Sequence, residues 1–274
     1  MSRKFLSLTY NASVLHLDEN DIRRHVPGNL LGVCWRQLRA ERALARRGIH
    51  FRTTDVADLA AAYAAMSDGE FDAINGRQDW ANWRTIPRSL SGHVPDRPLR
   101  VLDLGCGTGG STRVLAFYCP AGSRITGYEL AAPLVEIARR RVYRHQGGRP
   151  ADVMFCCRGV TEPLPEPDGS VDVVNASGVV GHHLDAATIR PLVEELKRVL
   201  RPGAVAMLDV GPTLGDAELS AVLADAGFAR LGYRRSCWLD RTGQVIYRTD
   251  RSGNLTDQRP QSGTEPPGAM TLAP

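Results

Sequence analysis

Between residues 100 and 248, short apolar runs of strand length alternate with longer stretches whose apolar positions recur every three or four residues. The short runs lie at 101–104, 124–129, 153–157, 171–176 and 204–210. Unbroken apolar runs of this length are what strands buried on both faces look like. The stretches between them carry the helical period: "STRVLAFYC" (111–119), "APLVEIARRRVYRH" (132–145), "AATIRPLVEELKRVL" (186–200) and "DAELSAVLADAGF" (216–228). Ser111 stands where a helix cap would, and Pro202 with Gly203 is placed to stop the third helix before the fifth strand. "ARLGYRRSCWL" and "QVIYR" flank the turn "DRTG" and read as a hairpin. This alternation predicts an α/β fold with a doubly wound, mostly parallel, seven-stranded sheet ending in an antiparallel hairpin.

The flanks have a different texture. Residues 1–97 predict a helical extension, with helices at 30–47 and 56–66 and a turn-rich "HVPDRP" (93–98) leading into the first strand. Residues 98–249 form the core, and 250–274 lack periodicity and predict a disordered tail. The extension is expected to cover the site and choose the substrate. Its segment 23–52 carries eight arginines and one acid, Glu41. Arginine is abundant throughout, Lys4 and Lys197 being the only lysines, and the net charge is a mild +4. The segment is therefore read as a solvated helix face or a contact in a homodimer, not a nucleic-acid surface. The first 17 residues contain no unbroken apolar run, and no 18-residue apolar stretch occurs. That predicts a cytoplasmic protein without a membrane partner. The six cysteines include no C-x-x-C pair and predict free thiols and no metal site, Cys156 and Cys157 being small fillers at a strand end.

The chemistry is concentrated in "VLDLGCGTGG" (101–110). Glycines after a strand let the chain turn sharply and let a ligand approach the backbone, and the following helix aims free N–H groups at it. Glu129 follows about 20 residues later, at the end of the second strand, where a carboxylate can accept from both ribose hydroxyls. Loop and acid together imply a nucleoside-containing cofactor. Asp103 beside the loop would repel a pyrophosphate and attract an ammonium, which favours a phosphate-free ligand over a dinucleotide.

Four matches in order then carry a resemblance: "VLDLGCGTGG", "ITGYEL", "EPLPEPDGSVDVVNASGVVGHH", and "LKRVLRPGAVAMLDVG" with "LADAGF". The stretch from about residue 97 to 248 resembles the class I S-adenosylmethionine-dependent methyltransferases of the small-molecule type. That resemblance implies a Rossmann-like fold, S-adenosyl-L-methionine as cofactor, and methyl transfer to an oxygen, nitrogen or carbon of a small organic metabolite. It also implies that Asp103, Gly105, Cys106, Gly107, Thr108 and Gly109 line the methionine end of the cofactor, Glu129 holds the ribose and Leu130 packs on the adenine. Asn175 and Ala176 would lie under the sulfonium and the substrate entrance. Where members often carry an aspartate for the adenine amino group, this chain has Val160, which leaves that contact to Val160 backbone groups and the Thr161 hydroxyl.

A base is needed only if the nucleophile must lose a proton, and His183 or His182, just after the fourth strand, is the candidate. The alternative for both is packing and capping of the next helix. Trp80, Trp83 and Arg84 are candidates for stacking a planar substrate, and the tryptophans at i and i+3 serve equally well to dock their helix. Two other functions remain open at this point. One is a cofactor-binding regulatory protein without catalysis, and the other is a nicotinamide-dependent oxidoreductase, which the overlapping G-x-G-x-x-G allows. A nucleic-acid methyltransferase fits less well, because "NASG" stands where an N/D-P-P-Y-like tetrapeptide would be.

Overall fold

A computed structural model describes residues 13–53, 55–237 and 243–249. Five helices precede the sheet: α1 (Glu19–His25), α2 (Leu30–Arg46), α3 (Val56–Ala64), α4 (Asp68–Ile74) and α5 (Gly76–Leu90). The core then runs β1 (Arg100–Leu104), α6 (Gly110–Tyr118), β2 (Arg124–Glu129), α7 (Ala132–Arg140), β3 (Asp152–Cys157), β4 (Val171–Ala176), α8 (Val180–His183), α9 (Arg190–Val199), β5 (Leu200–Asp209), α10 (Asp216–Asp225), β6 (Phe228–Arg235) and β7 (Gly243–Thr249). The strand order is β3-β2-β1-β4-β5-β7-β6. β1 to β5 are parallel, and β7 runs antiparallel to both its neighbours. This is the Rossmann-like sheet with its terminal hairpin.

The apolar runs are apolar because both faces of the sheet are covered. On one face Leu102, Leu104 and Val174 pack with Leu192, Leu196, Leu219 and Leu223 from α9 and α10. On the other, Val101, Ile125 and Val173 share a cluster with Val114 and Leu115 of α6, Val135 of α7, and Ile22, Trp83, Ile86 and Leu90 of the extension. α5 thus occupies a place in the covering layer, and α1 is fastened to it by Glu19, which accepts from Arg88 and Arg23. Those two guanidiniums hold the Glu19 carboxyl down at about 2. The direction of the chain reverses between β1 and β4, and the crevice at the carboxyl ends of these strands is where such sheets bind ligands.

Three local expectations are corrected. Ser111 does not cap α6: the cap is Gly109 at φ +87°, and Ser111 lies inside the helix with its hydroxyl on Asp103. The helix after β2 ends at Arg140 rather than 145, because the chain leaves it extended and buries Tyr143, whose hydroxyl donates to the Ala138 carbonyl at 2.9 Å. The stop of α9 comes at Val199, before Pro202 and Gly203. Those two already belong to β5, where the ladder with β4 shifts register, as an irregular strand start permits for proline. The turn 240–243 and the tail 250–274 lie largely or wholly outside the described residues.

Candidate active site

The glycine loop is shaped by what surrounds it. At Gly105 (φ +66°) a Cβ would lie 2.1 Å from Val179 Cγ2, and at Gly109 a Cβ would lie 2.0 Å from the Tyr143 hydroxyl. Both backbone angle and space therefore require glycine. Above the loop opens a cavity of about 1010 Å³, large enough for a nucleoside cofactor together with a second small molecule. Gly105, Cys106, Gly107, Thr108, Glu129, Leu130, Val160, Thr161 and His183 line it; Asp103, Gly109, Asn175, Ala176 and His182 do not.

Glu129 is 5% exposed, and its two oxygens accept from Ala131 N at 2.9 Å and Gly107 N at 3.0 Å. The carboxylate stands on the cavity wall and has acceptor capacity beyond these two bonds. Burial, the larger influence, raises its pKa, and the backbone donors oppose this. The Cys106 thiol, buried beside Asp103 and Glu129, is held protonated.

Asp103 is fully buried beneath the loop. Its Oδ2 accepts from Ser111 Oγ (2.7 Å) and Thr112 Oγ1 (2.5 Å), and its Oδ1 accepts from Asn175 Nδ2 (2.7 Å). Its carboxylate does not reach the cavity wall. β-strand alternation turns its side chain toward α6, where it anchors the helix that opens the site. Asn175 continues the chain: its Oδ1 accepts from Gln244 Nε2 at 2.7 Å, and the same nitrogen donates to Ser177 Oγ at 2.6 Å. Ser177, not Asn175 or Ala176, reaches the cavity wall.

Trp80, Trp83 and Arg84 lie on the side of α5 that docks the helix. None lines the cavity. Trp83 packs in the core against Phe117 and Tyr118, and Arg84 lies over Trp80 and donates to the Ser236 carbonyl. The aromatic side of α5 docks the helix, and its polar side, Asn75, Gln78, Asp79 and Asn82, faces the cavity. Sequence reasoning missed this stripe, although its spacing of three and four is the helical signal. Asp79 is its charged member. Arg113 donates to its Oδ2 at 3.3 Å, while Oδ1 is buried without a hydrogen-bond partner, and burial raises the carboxyl's pKa. Asp72 of α4, also on the wall, accepts from Thr108 Oγ1 at 2.7 Å and from Arg141 at 2.6 Å, tying the extension to the loop.

At the other end, Asp209 accepts from the N–H groups of Val179, Val180 and Gly181 and so fixes the turn α8. His183 on that turn is half-buried, with Nδ1 3.3 Å from the Thr53 carbonyl. Burial lowers its pKa, which keeps the imidazole neutral. His182 points outward, 3.9 Å from Asp209. Glu162, two residues beyond Val160, also lines the cavity and accepts from Gly159 N at 2.7 Å. Among the described residues no group of three His, Cys, Asp or Glu side chains is placed to hold a metal ion, and no helix is long and apolar enough to cross a membrane.

Residues 101–203 match the family described as a methyltransferase domain. A demethylmenaquinone methyltransferase of Tropheryma whipplei is 32% identical over 130 residues, 45% of either chain. An O-methyltransferase of Penicillium expansum is 29% identical over 177 residues, 60% of either chain. The crystal structure of magnesium protoporphyrin IX methyltransferase from Synechocystis, with bound SAH, shares the fold at a TM-score of 0.50 and 16% identity, covering 68% of this chain and 88% of that one. The chain spans about half the length of the curated relatives it matches, from 26% to 60%.

Proposed function

We propose that this chain, whose residues 101–203 match a methyltransferase domain, is a class I, S-adenosylmethionine-dependent methyltransferase that transfers a methyl group to an oxygen, nitrogen or carbon of a small organic metabolite. The observation that carries the reading is the shared cavity, which brings the glycine loop, the buried Glu129 and the neutral His183 to one space. The residues present fit the cofactor. Gly105 and Gly107 leave room for its methionine end, Glu129 has acceptors free for ribose hydroxyls, and the partnerless Asp79 Oδ1 calls for a cation. Asp79, which lines the cavity where Asp103 does not, takes the ammonium role. Leu130 and Val160 would hold the adenine, with Glu162 and Thr161 as the polar groups at that end.

S-adenosylmethionine, when bound, supplies an electrophilic methyl on a sulfonium. The protein's part is to orient and to exclude water, an effect of several kcal/mol. Where the nucleophile must shed a proton, His183 accepts it.

The test is formation of S-adenosylhomocysteine with a panel of phenols, amines and quinones. Turnover with one class supports the reading. Cofactor binding without turnover on any class indicates a regulatory protein, and preference for NAD overturns the assignment. His183→Ala is expected to lower kcat about 100-fold with an unionised nucleophile and to leave cofactor affinity unchanged. In the wild type the rate should fall on acidification only below the ordinary histidine range, since the pKa is lowered. A variant with wild-type kcat removes the base.

A further inference from the structure

α2 presents two apolar faces, and the fold uses one. Val33 and Leu44 are buried on the side that packs against α4 and α5. About 180° around the helix, at 100° per residue, stand Leu31, Trp35 and Leu38, which are 81%, 58% and 44% exposed. They follow the i, i+4, i+7 spacing, and Arg42 continues the same line one turn further. Arg39 stacks on Trp35 at 4.6 Å, and Arg46 flanks the row. Among the described residues Arg36, Arg42 and Arg46 pair with no acid, and all are exposed.

We propose that this face seats the protein on an anionic lipid surface, with Leu31, Trp35 and Leu38 entering the headgroup–acyl boundary and Arg39, Arg42 and Arg46 meeting lipid phosphates. Apolar and cationic groups on one exposed helix face are the combination that such an interface takes up. A second copy of the chain fits less well. A two-fold contact would set Arg42 and its neighbours against themselves, and a 17-residue helix, about 25 Å long, offers far less than the ~800 Å² per partner of a stable dimer. A nucleic acid would use the arginines and leave three large apolar side chains in water. Because α4 and α5 lie between α2 and the cavity, docking would bring the site close to the bilayer. The inference concerns the outer face of the extension and does not depend on the methyltransferase reading.

The test is co-sedimentation of the full chain with vesicles of phosphatidylglycerol and phosphatidylcholine in equal parts, against vesicles of phosphatidylcholine alone. Binding to the anionic vesicles only, weakening with salt, is expected. The triple substitution Leu31→Ser, Trp35→Ser, Leu38→Ser should lower partitioning about tenfold or more with an unchanged thermal melt. Arg39→Gln, Arg42→Gln, Arg46→Gln should reduce it as well and remove the salt dependence. Absence of binding to anionic vesicles, or equal binding by the apolar variant, overturns the proposal. So does a dimer in analytical ultracentrifugation that the apolar variant dissolves, or duplex DNA binding that the arginine variant alone abolishes.

Discussion

The two walls of the cavity are built by different physics. The sheet-side wall consists of backbone held at fixed angles: glycines at positive φ, N–H groups that bind Glu129, and a carboxylate, Asp103, spent on anchoring α6. The extension-side wall consists of side chains on helices, Asp72, Gln78, Asp79 and Asn82, which reach the loop through a few hydrogen bonds and ion pairs. The first wall tolerates almost no substitution, because backbone and neighbours must move together. The second can be rewritten residue by residue. A common cofactor loop can therefore be combined with a variable covering layer.

The sharpest way to break this contrast is Gly109→Ala. With φ at +87° and the Tyr143 hydroxyl 2.0 Å from the added Cβ, the substitution should cost about 2–4 kcal/mol of stability; a urea midpoint equal to wild type would show the loop to be pliant. Next in size, Glu129→Ala should weaken cofactor binding by about 1–3 kcal/mol, the scale of a lost charged hydrogen bond, as read by calorimetry. Asp79→Asn tests the opposite wall. It should weaken cofactor binding by about 1–2 kcal/mol and leave the melting temperature near wild type. Asp103→Asn should do the reverse, lowering the melting temperature more than the affinity, and equal profiles for the two aspartates would erase the division of labour. The smallest effect concerns the attachment of the extension. The Glu19 pKa is lowered to about 2 by Arg88 and Arg23. Its contribution is complete above the unfolded value near 4.5 and lost as pH falls toward 2. Glu19 is partly exposed and screened, so Glu19→Gln should cost no more than about 1 kcal/mol at neutral pH. The difference should shrink from pH 4.5 downward and vanish below about pH 2 in paired thermal melts.

The inner strands β1, β2, β4 and β5 were legible because they are buried on both sides and so lose the alternation that a half-exposed strand shows. Glu129 was legible because a carboxylate at the end of a second strand has few reasons to be there. The hydrogen bonds of Asp103 were not legible, because proximity in sequence says nothing about which way a strand residue points, and β1 turns it toward Ser111 and Thr112. On α5 the tryptophans drew the eye, yet large aromatics contribute most when buried, which leaves the cavity to the polar residues between them. Tyr143 could not be anticipated. It lies in what the pattern extended as helix, and only the backbone's exit at Arg141 carries it over Gly109.

Gln244 has a consequence for how the molecule assembles. It is the second residue of β7, yet its amide completes a polar chain running through Asn175 to Asp103 under the loop. Slipping β7 by a single position would drive Val245 into that polar seam and thrust the amide among hydrocarbon side chains. β7 thus works as a gauge that accepts one alignment of the hairpin, and the floor beneath the ligand is finished only when this strand has docked between β5 and β6.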